Sequence, residues 1–112
     1  MTNVIYKIAP EPLWRLAVEQ GAFTGSPVDV KDGFIHFSTA AQARDTAAKH
    51  FAGAADLVLV AVATEGLDLR WEPSRGGDLF PHLYAPLPMA AVQWVKPLPL
   101  GADGRHVFPV LD

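Results

Sequence analysis

The sequence contains no cysteine. Disulfides, thiolate nucleophiles and cysteine-ligated structural zinc are therefore excluded. Long apolar stretches are missing too. The longest, Leu57-Val58-Leu59-Val60-Ala61-Val62-Ala63, falls far short of the roughly 20 residues that cross a bilayer as a helix. The opening Met1-Thr2-Asn3-Val4-Ile5-Tyr6-Lys7 lacks a basic segment followed by an apolar one, so no secretory leader is read there and a cytoplasmic location is expected. Positive charge is sparse and scattered: the formal net charge is −3, without a lysine or arginine cluster. Coating a nucleic-acid duplex depends on neutralising phosphates, so that role is not expected. A single nucleotide held by a few groups in a cleft remains compatible. The Gly-x-Ser-x-Gly elbow, the GxGxxG loop and the Walker loop are absent as well.

What is present fits one α+β domain over residues 1–112. Half the residues are apolar and 19% are charged, a globular balance rather than a disordered one. Val4 to Ile8 reads as a strand, and Pro10-Glu11-Pro12 opens a helix to about Gln20, with Leu13, Leu16 and Ala17 on one face and Gly21 as its stop. Residues 22–33 read as an irregular loop. Phe34 to Ser38 is the next strand. Thr39-Ala40-Ala41-Gln42 fits a capping box, and the helix behind it runs to about Ala52. Asp56 to Thr64 shows no polar alternation and so reads as a central strand. Leu67 to Glu72 alternates strictly. Leu79 to Pro88 carries three prolines and is not expected in the middle of a regular sheet. Ala91 to Pro97 is a last long strand, and Val107 to Val110 a short edge strand. Two helices in the first half and mostly later strands imply helices packed on mixed or antiparallel sheets.

Two polar islands interrupt this pattern. In Asp32-Gly33-Phe34-Ile35-His36-Phe37-Ser38-Thr39, alternation sends Ile35 and Phe37 to the core and turns His36 and Ser38 toward a cleft. Ser38 and Thr39 lie where a helix begins, so a phosphate near His36 is physically reasonable; a structural histidine fits as well, and for Thr39 a plain cap is the favoured reading. In Asp78-Leu79-Phe80-Pro81-His82-Leu83-Tyr84, an extended backbone points His82 and Tyr84 the same way, suited to a flat ring or a ribose hydroxyl, or else to plugging the core. Arg70 and Glu72 share a strand face. They can grip a phosphate and act as a general base, or simply form a surface ion pair. His36, His82 and Glu72 could in principle hold a metal ion, but short ligand spacing is lacking, and no metal is expected. His50 and His106 read as structural or solvated.

Tyr6-Lys7-Ile8, Trp14, the DGFIH-x-ST motif of residues 32–39, Leu69-Arg70-Trp71-Glu72 and the FPHLY-x-PL motif of residues 80–87 together resemble a small bacterial family, domain of unknown function 952. The resemblance covers nearly the whole chain. One departure is Ala85, where the family usually has glycine. The family is similar in fold to ADP-ribosyltransferases, which implies a split β-sandwich gripping NAD between two small sheets. It implies that His36 bonds a ribose hydroxyl, that Tyr84, or else Trp71, stacks on the nicotinamide, and that Glu72 or His82 takes the polar catalytic place. Ser38, Thr39 and Arg70 complete the expected nucleotide contacts. The implied function is binding of NAD or a related nucleotide, with transfer or hydrolysis at the nicotinamide ribose and an acceptor the sequence does not choose. A non-catalytic nucleotide or metabolite module and a metal-dependent hydrolase are the alternatives.

Overall fold

The computed structural model describes residues 3–111, the side chain of Arg75 excepted; Met1 and Thr2 of the opening segment read above lie outside that range. Strand β1 (Val4–Pro10) pairs antiparallel with β4 (Leu57–Ala63), and β4 pairs antiparallel with β8 (Val92–Pro97). β4 is thus the middle strand of the sheet β1-β4-β8. Its unbroken apolar run follows from burial on both faces. Val58, Val60 and Val62 join Ile5 and Ala9 in one core cluster, while Leu57, Leu59 and Ala61 join Tyr6, Ile8 and Leu98 in another.

Helix α1 (Glu11–Gln20) starts with proline in its first turn and ends at Gly21, whose φ of 85° lets its N–H reach the carbonyls of Ala17 and Val18. It buries Trp14 and Ala17, with the Trp14 ring 5.4 Å from Phe23. Leu16, expected on the inner face, is about half exposed. The indole takes the place on that face which simple i, i+3, i+4 counting assigned to a leucine.

Residues 22–33 are not an irregular loop. They hold β2 (Ala22–Phe23) and a short helix α2 (Pro27–Asp32), so the described residues hold three α-helices rather than two. β3 (Ile35–His36) follows, then α3 (Ala40–His50). The α3 cap is as the sequence predicts: the Gln42 N–H donates to Thr39 Oγ1 at 3.3 Å and the Thr39 N–H to Gln42 Oε1 at 3.0 Å. α3 buries Ala43 and Ala47, and Ala47 packs on the second core cluster.

The later strands are β5 (Leu69–Pro73), β6 (Leu79–Leu83) and β7 (Leu87–Pro88). β7 pairs with β2, and the third sheet has the order β3-β6-β5, all antiparallel. β6 is therefore central despite Pro81, contrary to the sequence reading. The Pro81 carbonyl accepts from the Phe37 N–H at 3.1 Å, so the proline's N side also faces β3. β3 pairs with only two β6 residues, Leu83 and His82, and the missing donor falls where that pairing has already ended. The ladder to β5 loses no hydrogen bond. The expected strand at Val107 to Val110 does not form. An isolated Leu100–His106 bridge stands nearby, and His106 Nε2 bonds the Ala54 carbonyl at 2.8 Å.

The first and third sheets are joined by one bridge. Tyr6 and Ser38 exchange both backbone hydrogen bonds at 2.8 Å. Ile35 and Leu83 on the third sheet pack into the same cluster as Ile5, Val58 and Val60. The residues that alternate with them, His36, His82, Arg70 and Glu72, are left on the other face.

Candidate functional site

The site is built outward from Asp29, a residue that sequence reasoning missed. Ser26-Pro27-Val28-Asp29 starts α2: Ser26 is the cap, Pro27 sits in the first turn, and Asp29 Oδ2 accepts from both the Ser26 N–H and its hydroxyl at 2.8 Å. Asp29 is only 1% exposed. Its carboxylate also takes the Lys7 ammonium at 2.8 and 3.0 Å, the His36 backbone N–H at 3.1 Å and His36 Nδ1 at 2.6 Å. Lys7 comes from β1, on the same face as Ile5 and Ala9, and is buried too. Burial by itself would raise the Asp29 pKa. The His36 bond, the Lys7 charge and bond and the Ser26 N–H outweigh it and hold the carboxyl well below the usual range. For Lys7, burial wins, and its ammonium is held below its ordinary value although Asp29 opposes the shift.

Two glycines shape this corner. Gly33 ends α2 in the left-handed region (φ 86°) and returns its N–H to the Asp29 carbonyl at 2.8 Å, turning the chain into β3. Gly25 has φ 117°, and a Cβ there would stand 2.8 Å from the Asp29 Cβ. Gly25→Ala is therefore expected to destabilise the fold by about 1–3 kcal/mol, read as a lower urea midpoint. An unchanged midpoint would show that the Asp29 corner yields freely.

His36 lies between two acids. While Nδ1 meets Asp29, Nε2 meets Asp32 Oδ2 at 2.9 Å. Only a ring protonated at both nitrogens donates to both carboxylates at once. Across the β3–β6 pair His36 stands opposite His82, and the ring centroids are 5.4 Å apart, edge to face. His82 is buried, its Nδ1 bonded to Glu72 Oε1 at 2.8 Å. The same Glu72 oxygen accepts from the Tyr84 hydroxyl at 2.7 Å, and the Arg70 guanidinium lies 4.7 Å above the Tyr84 ring. The His82 and Tyr84 bonds hold Glu72 below its ordinary value, and the bond to Glu72 pushes the Tyr84 phenol up.

Phe34 joins these groups. Its ring stacks on His82 at 4.1 Å and touches His36 at 4.6 Å and Tyr84 at 5.1 Å. A cavity of about 450 Å³ is bounded by β1, α2, α3 and the third sheet; His36, His82, Ser38, Lys7, Asp32 and His50 contribute to its lining. A second hollow, of about 270 Å³, is lined in part by Phe34, Tyr84 and Ala85. Ala85 does not take a left-handed backbone, so alanine at this position is unstrained.

Most of the expected site residues gather here, around two adjoining hollows rather than one. His36, His82 and Ser38 line the larger, although the Ser38 hydroxyl is bonded to Thr46 Oγ1 at 2.9 Å. Glu72 reaches the larger hollow only through His82, and Tyr84 belongs to the smaller. Three expectations need correction. Trp71 sits opposite Pro81 in the β5–β6 register, which puts it on the sheet face away from His82, and it lines neither hollow. Thr39 serves as the α3 cap and lines neither. Arg70 lines neither as well; its guanidinium covers the Tyr84 ring. Among the described residues, no three histidine, aspartate or glutamate side chains group as a metal would need.

Asp29, Lys7 and the role of Phe34 were missed, yet signals existed. Lys7 is a lone charge in a strand of apolar residues, which demands a buried partner. Ser26-Pro27-Val28-Asp29 is itself a helix-start pattern with proline at the first position.

The comparisons with known proteins agree with this fold. The crystal structure of protein CC0527 from Caulobacter crescentus is 53% identical, with a TM-score of 0.88 over 93% of each chain. The solution structure of CC0527 is 54% identical, with a TM-score of 0.83 over 94% of this chain and 91% of that one. No curated protein matches. A family described as "Protein of unknown function (DUF952)" matches residues 8–95, and the chain, with its motifs on β3 and β6 lining one site, belongs to that family.

Proposed function

We propose that this protein binds NAD or a related nucleotide at the His36–His82 cavity, on an ADP-ribosyltransferase-like split β-sandwich, and acts at the nicotinamide ribose. The observation that carries the reading is the pair of imidazoles 5.4 Å apart on the wall of a hollow of about 450 Å³, each held by a carboxylate. That volume lies within the range of small-molecule sites. With Nδ1 on Glu72, His82 offers Nε2 to a ribose hydroxyl, and the carboxylate behind it steadies positive charge on the ring. His36 faces the ribose–phosphate portion. Tyr84, braced by Arg70 and Phe34, offers a flat face to a base in the neighbouring hollow.

A non-catalytic nucleotide or metabolite module is the second reading, and one observation favours it. Glu72 Oε1 already accepts from both His82 and Tyr84, so the acid is not directed at the larger hollow. A metal-dependent hydrolase has less support, because His36 is engaged by Asp29 and Asp32.

Titrating NAD while following thermal unfolding and nicotinamide release tests the proposal. NAD at about 100 times its Kd adds about 2.7 kcal/mol of stability and raises the Tm, and His36→Ala weakens that rise at least about tenfold in concentration. Nicotinamide release identifies an enzyme. A rise without release identifies a binding module. A wild-type protein that gives neither overturns the reading.

A further inference from the structure

The two acids on His36 are not equivalent. Asp29 is buried and carries Lys7, Ser26 and a backbone N–H besides the imidazole. Asp32 is 40% exposed in its side chain, and its bond to His36 Nε2 spans the Gly33 turn that leads from the end of α2 into β3. A carboxylate at the C-terminal end of a helix gains nothing from the backbone dipoles there, so His36 is what holds it. The cavity has a consistent polarity apart from this residue. Lys7, His36, His50 and His82 line it, while Asp29 stands behind Lys7 and His36 and Glu72 behind His82. Among the described lining residues, Asp32 is the sole carboxylate in front.

We propose that Asp32 is a tethered occupant of an oxyanion subsite on His36 Nε2, displaced when a ligand brings a phosphate or carboxylate group into the cavity. This deepens the nucleotide reading and rests on it for the identity of the cavity. The replacement makes and breaks no covalent bond: one oxyanion leaves His36 Nε2 and another takes its place. An exposed ion pair of this kind is weak, so millimolar ligand can compete with it. Asp32 then lowers the apparent affinity by the fraction of time that it occupies Nε2, and it adds like-charge repulsion. It raises the concentration at which anionic ligands half-saturate the cavity, a threshold in that sense alone.

The test is a titration of wild-type protein and Asp32→Ala with inorganic phosphate and, separately, with acetate, following the ring nitrogen signals of His36 by NMR. Alanine at an exposed helix end does not threaten folding. The expected result is a saturable shift of the His36 Nε2 signal whose half-saturating concentration drops on the order of fivefold in Asp32→Ala. The anion that saturates first shows whether phosphate or carboxylate is the natural group. His36 signals unmoved by either anion in both proteins, or an Asp32→Ala variant that binds no better than wild type, overturn the proposal. Adding NAD to the same two proteins separates the two readings. Equal NAD binding in both discards the threshold but keeps the nucleotide site. Phosphate controlled by Asp32 in a protein that ignores NAD keeps the threshold and discards NAD.

Discussion

Asp29→Ala lowers the unfolding free energy by about 3–5 kcal/mol, the loss expected when one partner of a buried ion pair is removed and the other charge is left uncompensated. Lys7 would remain buried without its carboxylate, and the Ser26 and His36 N–H groups would lose their acceptor. Urea denaturation measures the change. Replacing the pair by apolar residues, Lys7→Met with Asp29→Leu, loses less than Asp29→Ala alone because the Lys7 ammonium is not left buried and unpaired. A loss below about 1 kcal/mol for Asp29→Ala would mean that water reaches this corner and that the network does not hold α2 and β3 together. The pH dependence has a definite sign. Asp29 is held below its ordinary value in the native state, so the unfolded chain binds more protons in the acid range. The stabilisation is complete above the ordinary aspartate range of about 4 and is lost as pH falls through the native pKa. The wild type therefore weakens on acidification, and Asp29→Ala shows a flatter profile over the same window.

The second large effect separates packing from chemistry at His82. Phenylalanine at this position keeps a flat ring against Phe34 and fills the same space in β6, but it cannot bond Glu72. His82→Phe is expected to change stability by no more than about 1 kcal/mol. NAD affinity falls at least about tenfold, and any nicotinamide release falls by about 10²–10⁴, the usual contribution of a general acid or base. His82→Ala differs by leaving a void beside Phe34, and its fold weakens by about 2–4 kcal/mol. Calorimetry with NAD and denaturation of both variants give the answer. If His82→Phe binds NAD and turns it over like the wild type, His82 serves only to pack the sheet.

Much of this architecture is legible in the sequence, and the failures have physical causes. β4 is read correctly because its run of β-branched and aliphatic residues satisfies two cores at once, a pattern that a one-sided strand would not show. The α3 start is legible because Thr39 and Gln42 carry the cap within four residues. β6 is misjudged because the rule against proline in central strands ignores which side of the strand lacks the donor; at Pro81 that side faces the end of β3. α2 escapes notice because six residues carry too little hydrophobic period to register. Its cap, Ser26 with Asp29, is the stronger sign.

For the site, His36, His82, Glu72 and Tyr84 are found because polar groups stand out among core residues. Their grouping follows from register. Once His36 faces His82 and Arg70 faces His82 on the other side, the row across the sheet is fixed. Asp29 and Lys7 are harder to find. They lie 22 residues apart, and nothing local says that a strand lysine and a helix aspartate meet. The misplacement of Trp71 has a simpler source: the family resemblance calls for an aromatic ring on the nicotinamide, although strand alternation already turns this one to the opposite face from Arg70 and Glu72.

The Phe34 ring touches both the His82 ring, on the wall of the larger hollow, and the Tyr84 ring, on the wall of the smaller, so any movement of that phenyl group disturbs both walls together.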